Sequence, residues 1–328
     1  MNNTSRKPVL VVVYNHNYPA NLPKIEHLYS KRFSRIYHLM PFYFPDKSVD
    51  AELARRVIPV FDNSIYFQGF MATGYNTYRH EDASHYIFMA DDLILNPDIN
   101  EDNYANFFEL GAKDSFVQNA YNLKQPFDKR DWGHSKFAFS FAPYAQELDE
   151  THKLPSVEEA IGKFKSLGYA TQYVRARAEV SRILTKALTG IYVTFPSSQR
   201  FIQWLNRIYK FKLSYPLVKG FSDLVIVPHN KIEKFCHYCG IWAGLKLYVE
   251  MAIPTTLVLL QEEDELKFGQ NSKYRVFNGH PRNLHPLDLQ YHNFSSDMKF
   301  KTLDDLLAGF PREYLYIHPI KISRLAQE

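Results

Sequence analysis

Two adjacent carboxylates, Asp91 and Asp92, close the apolar run Tyr86-Ile-Phe-Met-Ala90. A run of this length predicts a buried strand. In open α/β sheets, ligands settle outside the carboxyl ends of the strands, so acids there stand where binding chemistry occurs. Oxygen donors at such an edge suit a hard divalent cation and, through it, a diphosphate whose departing charge the metal neutralises. The competing reading is that the pair opens a turn or caps a helix.

Glu250 lies in an apolar stretch ahead of Pro254. A buried carboxyl has a raised pKa and can take a proton from a sugar hydroxyl. Paired with Lys246 at i−4, it would instead be structural. His318, beside Pro319, suits a divalent metal or, when protonated, a phosphate. His280 in Asn278-Gly-His-Pro281 competes for that role, and His85 reads as structural. Cys236 and Cys239 are spaced C-x-x-C, and one such pair cannot complete a tetrahedral zinc site by itself. On a helix, positions i and i+3 share a face, which predicts two buried thiols.

The elements that must position these residues follow from patterning. Residues 8–14 form a β-branched run that predicts a buried parallel strand, followed by a turn-rich loop over 15–23 and a helix from 22. Short apolar runs at 35–40 and 56–61 predict further strands, with helical spacing over 67–82. Strand, helix and strand at this spacing predict a βαβ unit and a doubly wound sheet. Beyond these, helices are expected over 156–167 and 231–251, strands over 221–228, 255–260 and 314–320, and a short helix over 303–307. Residues 268–300 read as loop.

The segment Tyr86-Ile-Phe-Met-Ala-Asp-Asp-Leu-Ile-Leu-Asn-Pro97 resembles the Asp-x-Asp region of GT-A glycosyltransferases. There an apolar strand runs into clustered acids, followed by apolar residues and often Asn-Pro. The strand ending at Tyr14 resembles the place where those enzymes receive the nucleotide, which implies Tyr14, Asn15, Asp91 and Asp92 as donor-binding residues. Phe221-Ser-Asp-Leu-Val-Ile-Val-Pro228 resembles the later strand lining the acceptor side and implies a catalytic role for Asp223. Tyr248-Val-Glu-Met-Ala-Ile-Pro254 resembles the segment bearing a catalytic or acceptor-binding acid, here Glu250. Tyr316-Ile-His-Pro-Ile-Lys321 resembles the late histidine motif, which implies His318 and Asp92 as metal ligands. The chain departs from the pattern at Ala90, which stands where the first acid is expected. Asp92 then becomes the metal ligand, and Asp91 the residue nearer the ribose.

The resemblance implies an α/β, GT-A-like (Rossmann-like) doubly wound mixed sheet with helical additions, forming one domain over 1–328. Its nucleotide-sugar half would be 1–150, a basic helical insertion 151–215, and an acceptor-side half 216–328. It implies transfer of a hexose, from UDP-hexose with Mn²⁺ or Mg²⁺, to a growing surface glycan of O-antigen, lipooligosaccharide or capsule type. Two rivals stay open. One is a metal-dependent nucleotidyl- or phosphotransferase, although neither GxxxxGK[ST] nor GxGxxG occurs. The other is a non-catalytic sugar- or partner-binding module, which Ala90 keeps in play.

Composition sets the partners. The 328 residues are 45% hydrophobic and 23% charged, an ordinary globular balance with room for a sizeable core. Net charge is only +4, which argues against a nucleic-acid partner. Aromatics reach 16%, which suits a cleft for sugars or bases as well as core filling. Basic and aromatic residues interleave over 175–219, among them Arg200, Phe201, Trp204, Arg207 and Lys210. Helices are expected over 175–188 and 199–211, and residues 199–212 predict a stripe lying on an anionic membrane near a lipid-linked acceptor, or a solvated charged face with its aromatics in the core. The opening MNNTSRKPVLVVVYNHN carries no secretory pattern, and no stretch approaches the roughly 20 apolar residues of a membrane span. Few cysteines suit a reducing compartment. The expected location is cytoplasmic, peripheral at the inner membrane face.

Overall fold

The computed structural model describes residues 6–45, 49–123, 141, 151–169, 171, 215–262, 265–278 and 300–326. Residues 172–214, with most of the basic stretch, and His280 lie outside these. The readings of a membrane-facing helix and of a second candidate histidine therefore fall outside the described residues.

In chain order the strands are β1 (Lys7–Val13), β2 (Ile36–Pro41), β3 (Val57–Val60), β4 (Ala83–Ala90), β5 (Ile94–Leu95) and β6 (Ser115–Val117). They continue as β7 (Tyr121–Asn122), β8 (Val218–Lys219), β9 (Leu224–Pro228), β10 (Leu266–Phe268), β11 (Arg275–Asn278) and β12 (Tyr314–His318). The helices are α1 (Leu22–Tyr29), α2 (Ala51–Arg55), α3 (Gln68–Tyr78), α4 (Tyr104–Phe107), α5 (Val157–Ser166), α6 (His229–Gly244), α7 (Val249–Leu260) and α8 (Leu303–Ala308).

Seven strands form the main sheet in the order β10-β6-β9-β4-β1-β2-β3. All run parallel except β9, which is antiparallel to both of its neighbours. Successive side chains of a strand point to opposite faces. On β1, Leu10, Val12 and Tyr14 join a core with α1, α8 and β12, while Val9, Val11 and Val13 join one with α3, α6 and α7. Both faces are covered, which is why this run is apolar throughout rather than alternating. The result is the doubly wound, mixed sheet that the sequence predicts. Gly69 and Gly74 let α3 pack closely. A Cβ on Gly69 would sit 2.8 Å from the Ala243 Cβ on α6, and one on Gly74 would sit 2.5 Å from Leu39 Cδ2 on β2.

A second sheet has the order β11-β12-β5, with β12 parallel to β11 and antiparallel to β5. Strand β11 falls where the sequence reads as loop. The predicted helix over 156–167 forms as α5, with Ser156 and Glu159 making a reciprocal capping box. Its Phe164 packs with Val218 and Val258.

Two expectations fail together. The predicted helix over 231–251 breaks after Gly244, with Lys246 at φ 57°, and the predicted strand over 255–260 is the second half of α7. Short apolar runs do not distinguish strand from buried helix, and Pro254 inside the run argued for a break. The fold accommodates Pro254 differently. It has no N–H for the Glu250 carbonyl four residues earlier. That carbonyl instead accepts the Gly220 N–H at 3.0 Å. Gly220 must be glycine, because a Cβ there would lie 2.0 Å from the Asn119 carbonyl oxygen. Pro254 thereby docks the loop leading into β9 onto the start of α7. Among the described residues, no helix is long and apolar enough to cross a membrane.

Candidate active site

Three strand pairings bring the predicted residues to one edge of the main sheet. Parallel pairing of β1 and β4 sets their carboxyl ends side by side, and the Asp91 N–H donates to Val13 O at 3.0 Å. Because β9 is antiparallel to β4, the start of β9 meets the end of β4, and the Ala90 N–H donates to Asp223 O at 2.8 Å. Because β12 is antiparallel to β5, its end returns to the same place, and the Ile320 N–H donates to Asp92 O at 2.7 Å. Asn15, Asp91, Asp92, Asp223 and His318 are thus neighbours although they span most of the chain.

The Asp91 carboxylate accepts from the Asn15 N–H and from the Asn21 side-chain amide, each at 3.4 Å. Burial and then the Asp92 charge push its pKa up to about 6 despite those bonds. His318 Nε2 lies 3.2 Å from Asp92 Oδ1 and 3.5 Å from Asp223 Oδ1. The contact with Asp92 is an ion pair rather than an aligned hydrogen bond. Burial would lower the His318 pKa, but the charges of Asp223, Asp92 and Asp91 outweigh it and lift it to about 9. His318 is therefore an imidazolium at neutral pH. Burial would raise Asp92, but His318 and Lys321 hold it below its ordinary value.

Glu250 sits in the first turn of α7. Burial, then the nearby Asp223 charge, push its carboxyl up to about 10, against a partial offset from the Tyr248 hydroxyl. Tyr248 is raised in turn by burial, Glu250 and Asp223. Glu250, Asp223 and Tyr248 are one coupled group, and through Asp223 they join the His318 cluster. The Tyr316 hydroxyl, also raised by burial and Asp223, donates to Gln118 Oε1 at 3.0 Å beneath this group.

Tyr14 is placed differently. Its side chain turns into the core, and its hydroxyl lies 3.1 Å from His38 Nδ1. Only its neighbour Asn15, half-buried, faces the site. The two expected metal ligands, Asp92 and His318, contact each other, and among the described residues no three His, Cys, Asp or Glu converge as a metal-ligand set. His85 is structural, bonded to the Tyr104 hydroxyl at 2.7 Å, with burial lowering its pKa to about 4. Cys236 and Cys239 are free, buried thiols, Cys236 pushed up to about 12 by burial. That removes the thiolate needed for redox or metal chemistry.

Sequence reasoning misses Asn21, Tyr248, and the buried His38 with Glu26 and Arg56. Asn21 stands at the N-cap of α1 but makes no capping bond, its amide turning to Asp91 instead. No local signal in the sequence marks that choice.

No family model matches the chain, and no curated protein matches it. Among solved structures it aligns with the mannosyltransferase Ktr4p from S. cerevisiae at 14% identity and a TM-score of 0.37, over 82% of this chain and 70% of that one. It also aligns with the apo structure of the bifunctional glycosyltransferase WbbM at 11% identity and a TM-score of 0.36, over 97% of this chain. The alignment spans 46% of the WbbM chain, less than half its length. At this distance, function must be read from the site.

Proposed function

We propose that this chain is a glycosyltransferase, moving a hexose from a nucleotide-sugar donor to a glycan acceptor, of the surface-polysaccharide type that the sequence resemblance implies. The observation that carries the reading is the convergence of Asn15, Asp91, Asp92, Asp223, His318 and Glu250 at the carboxyl edge of a doubly wound sheet. The donor would lie across the ends of β1 and β4, its ribose toward Asn15 and Asp91. An acceptor hydroxyl then attacks the anomeric carbon as the bond to the diphosphate breaks.

The charge states support an assignment of roles. A bare cluster of acids would repel a diphosphate. Here Glu250 is neutral at pH 7 and His318 is cationic, so two members of the cluster do not add negative charge. The His318 imidazolium is placed to stabilise the departing phosphate, the electrostatic assistance that contributes most in such sites. Glu250, expected to take a proton, already holds one. It serves instead as a hydrogen-bond donor to the acceptor sugar, and the proton released by the attacking hydroxyl passes to Asp223. Positioning two substrates along one edge supplies the rest.

The test is a panel of UDP-, GDP- and CMP-sugars, read by nucleotide release and by thermal shift, each with and without Mn²⁺. Release from one nucleotide class, absent in Asp92→Ala, is expected. A thermal shift that appears only with Mn²⁺ would show the carboxylates rearranging around a cation. No response to any nucleotide contradicts the reading and favours the non-catalytic module that Ala90 keeps in play.

A further inference from the structure

A buried polar chain lies under the donor edge. Arg56 grips Glu26 with both guanidinium nitrogens, at 3.0 and 2.9 Å. Glu26 Oε1 lies 3.0 Å from His38 Nε2, and His38 Nδ1 lies 3.1 Å from the Tyr14 hydroxyl. Burial raises Glu26, but His38 and Arg56 outweigh it and keep the group anionic. Burial lowers His38 and keeps it neutral. An anionic Glu26 can only accept, so Nε2 carries the proton and Nδ1 accepts from the Tyr14 hydroxyl. Every bond in the chain is therefore directional. Tyr14 and His38 are both fully buried, so neither reaches a substrate directly.

Stability alone does not explain this chain. Taking the His38 imidazole fully and the Glu26 carboxylate partly out of water is costly, and apolar residues of similar volume often do as well or better. What the chain does is fix the end of β1. Tyr14 feels the Asp91 charge, Val13 O accepts from the Asp91 N–H, and the Asn15 N–H reaches Asp91 Oδ1. Asn21, on the same α1 segment as Glu26, holds the other oxygen of that carboxylate. Two routes from α1 thus converge on Asp91, one through β2 and Tyr14, the other direct.

We propose that Arg56, Glu26, His38 and Tyr14 are positioning residues that set the Asn15–Asp91 arrangement for donor binding. The inference rests on the donor-site reading above. Tyr14→Phe deletes one hydroxyl and keeps the ring. The combined Glu26→Leu, His38→Leu and Arg56→Met variant replaces the three members behind Tyr14 with apolar groups and should show the same two changes. Two readouts separate this inference from its premise. Calorimetry with whichever of UDP, GDP or CMP the wild type binds should show Tyr14→Phe weakening the dissociation constant about tenfold, the scale seen when groups supporting a ligand shell are lost. Hydrogen exchange on the nucleotide-free protein needs no ligand. The amides of Asn15 and Asp91 should exchange about tenfold faster in Tyr14→Phe while those of β9 keep their wild-type rates, a local opening rather than a global one. Uniform acceleration, or no change at Asn15 and Asp91, makes the chain merely structural and overturns the proposal, as does wild-type nucleotide affinity in a folded variant. A wild type that binds no nucleotide sinks the function reading, and the exchange result still decides the positioning role.

Discussion

The two sides of the site treat their carboxyl groups differently. On the donor side, Asp91 is held by the Asn15 N–H and the Asn21 amide and is pushed up only to about 6, while Asp92 is held below its ordinary value by His318 and Lys321. On the acceptor side, burial and the Asp223 charge push Glu250 up to about 10. The difference is one of neighbours rather than residue type. Donors and a cation surround the first pair, while a second carboxylate and a phenol surround Glu250. On the proposed reading, one side holds fixed charge against the donor, and the other keeps a proton where an acceptor would bind. The division agrees with a reaction in which one substrate leaves as an anion and the other arrives as a hydroxyl.

The largest expected effect comes from breaking the donor side. Asp92→Ala should abolish transfer, by roughly a hundredfold or more, while circular dichroism and the thermal midpoint stay close to wild type. Near-normal turnover with the cognate donor would remove Asp92 from the site.

Breaking the acceptor side should separate turnover from binding. Glu250→Ala, which removes the hydrogen-bond donor, is expected to lower turnover about a hundredfold with nucleotide affinity unchanged, and Glu250→Gln, which still donates, to lower it far less. Glu250→Gln should also stabilise the fold. An acid whose folded pKa lies above its unfolded value binds more protons when folded, so stability falls as pH rises from the unfolded value near 4.5 toward about 10. Gln cannot ionise, so the variant should gain ~1 kcal/mol or more at pH 8 to 9 relative to pH 5. Loss of nucleotide binding, or an unchanged pH slope in denaturant unfolding, would place Glu250 elsewhere.

A smaller effect sharpens the bridge between the sides. His318 is raised from 6.5 to about 9, so its stabilising contribution is fully present below about 6.5 and lost as pH rises through about 9. His318→Gln should flatten the stability profile between those values, with its largest loss of stability below about pH 6.5 and little loss above about pH 9. A variant whose profile still falls over that window as in the wild type would show that the imidazolium does not pair there. The smallest effect is a control outside both sides. Ser156→Ala removes the capping bond of α5 at a cost of about 1 kcal/mol and should leave kcat/KM unchanged. A matching loss of transfer would couple α5 to the site.

Much of this site was legible in the sequence because it lies at strand ends, and buried strands announce themselves as apolar runs. Asp91, Asp92, Asp223 and His318 each adjoin such a run. What the sequence did not reveal is what pairing decides. The reversed direction of β9 sets Asp223 beside Ala90, and that of β12 against β5 sets His318 beside Asp92. The metal expectation rests on the motif; in the fold its two ligands, Asp92 and His318, lie beside each other and beside Asp223. Tyr14 was read as facing a nucleotide from its place at a strand end, but the alternation of β1 sends its ring inward to His38. The strand expected over 255–260 became helix because tertiary packing decided an ambiguous apolar run, with the Gly220 N–H satisfying the carbonyl that Pro254 leaves free.

The most direct test is a crystal structure after soaking with a nucleotide-sugar panel. The account predicts one donor bound across the ends of β1 and β4, with its ribose within hydrogen-bond distance of Asn15 or Asp91 and its diphosphate beside His318. A nucleotide bound at any other edge of the sheet, with Asp91, Asp92 and His318 untouched, would contradict it.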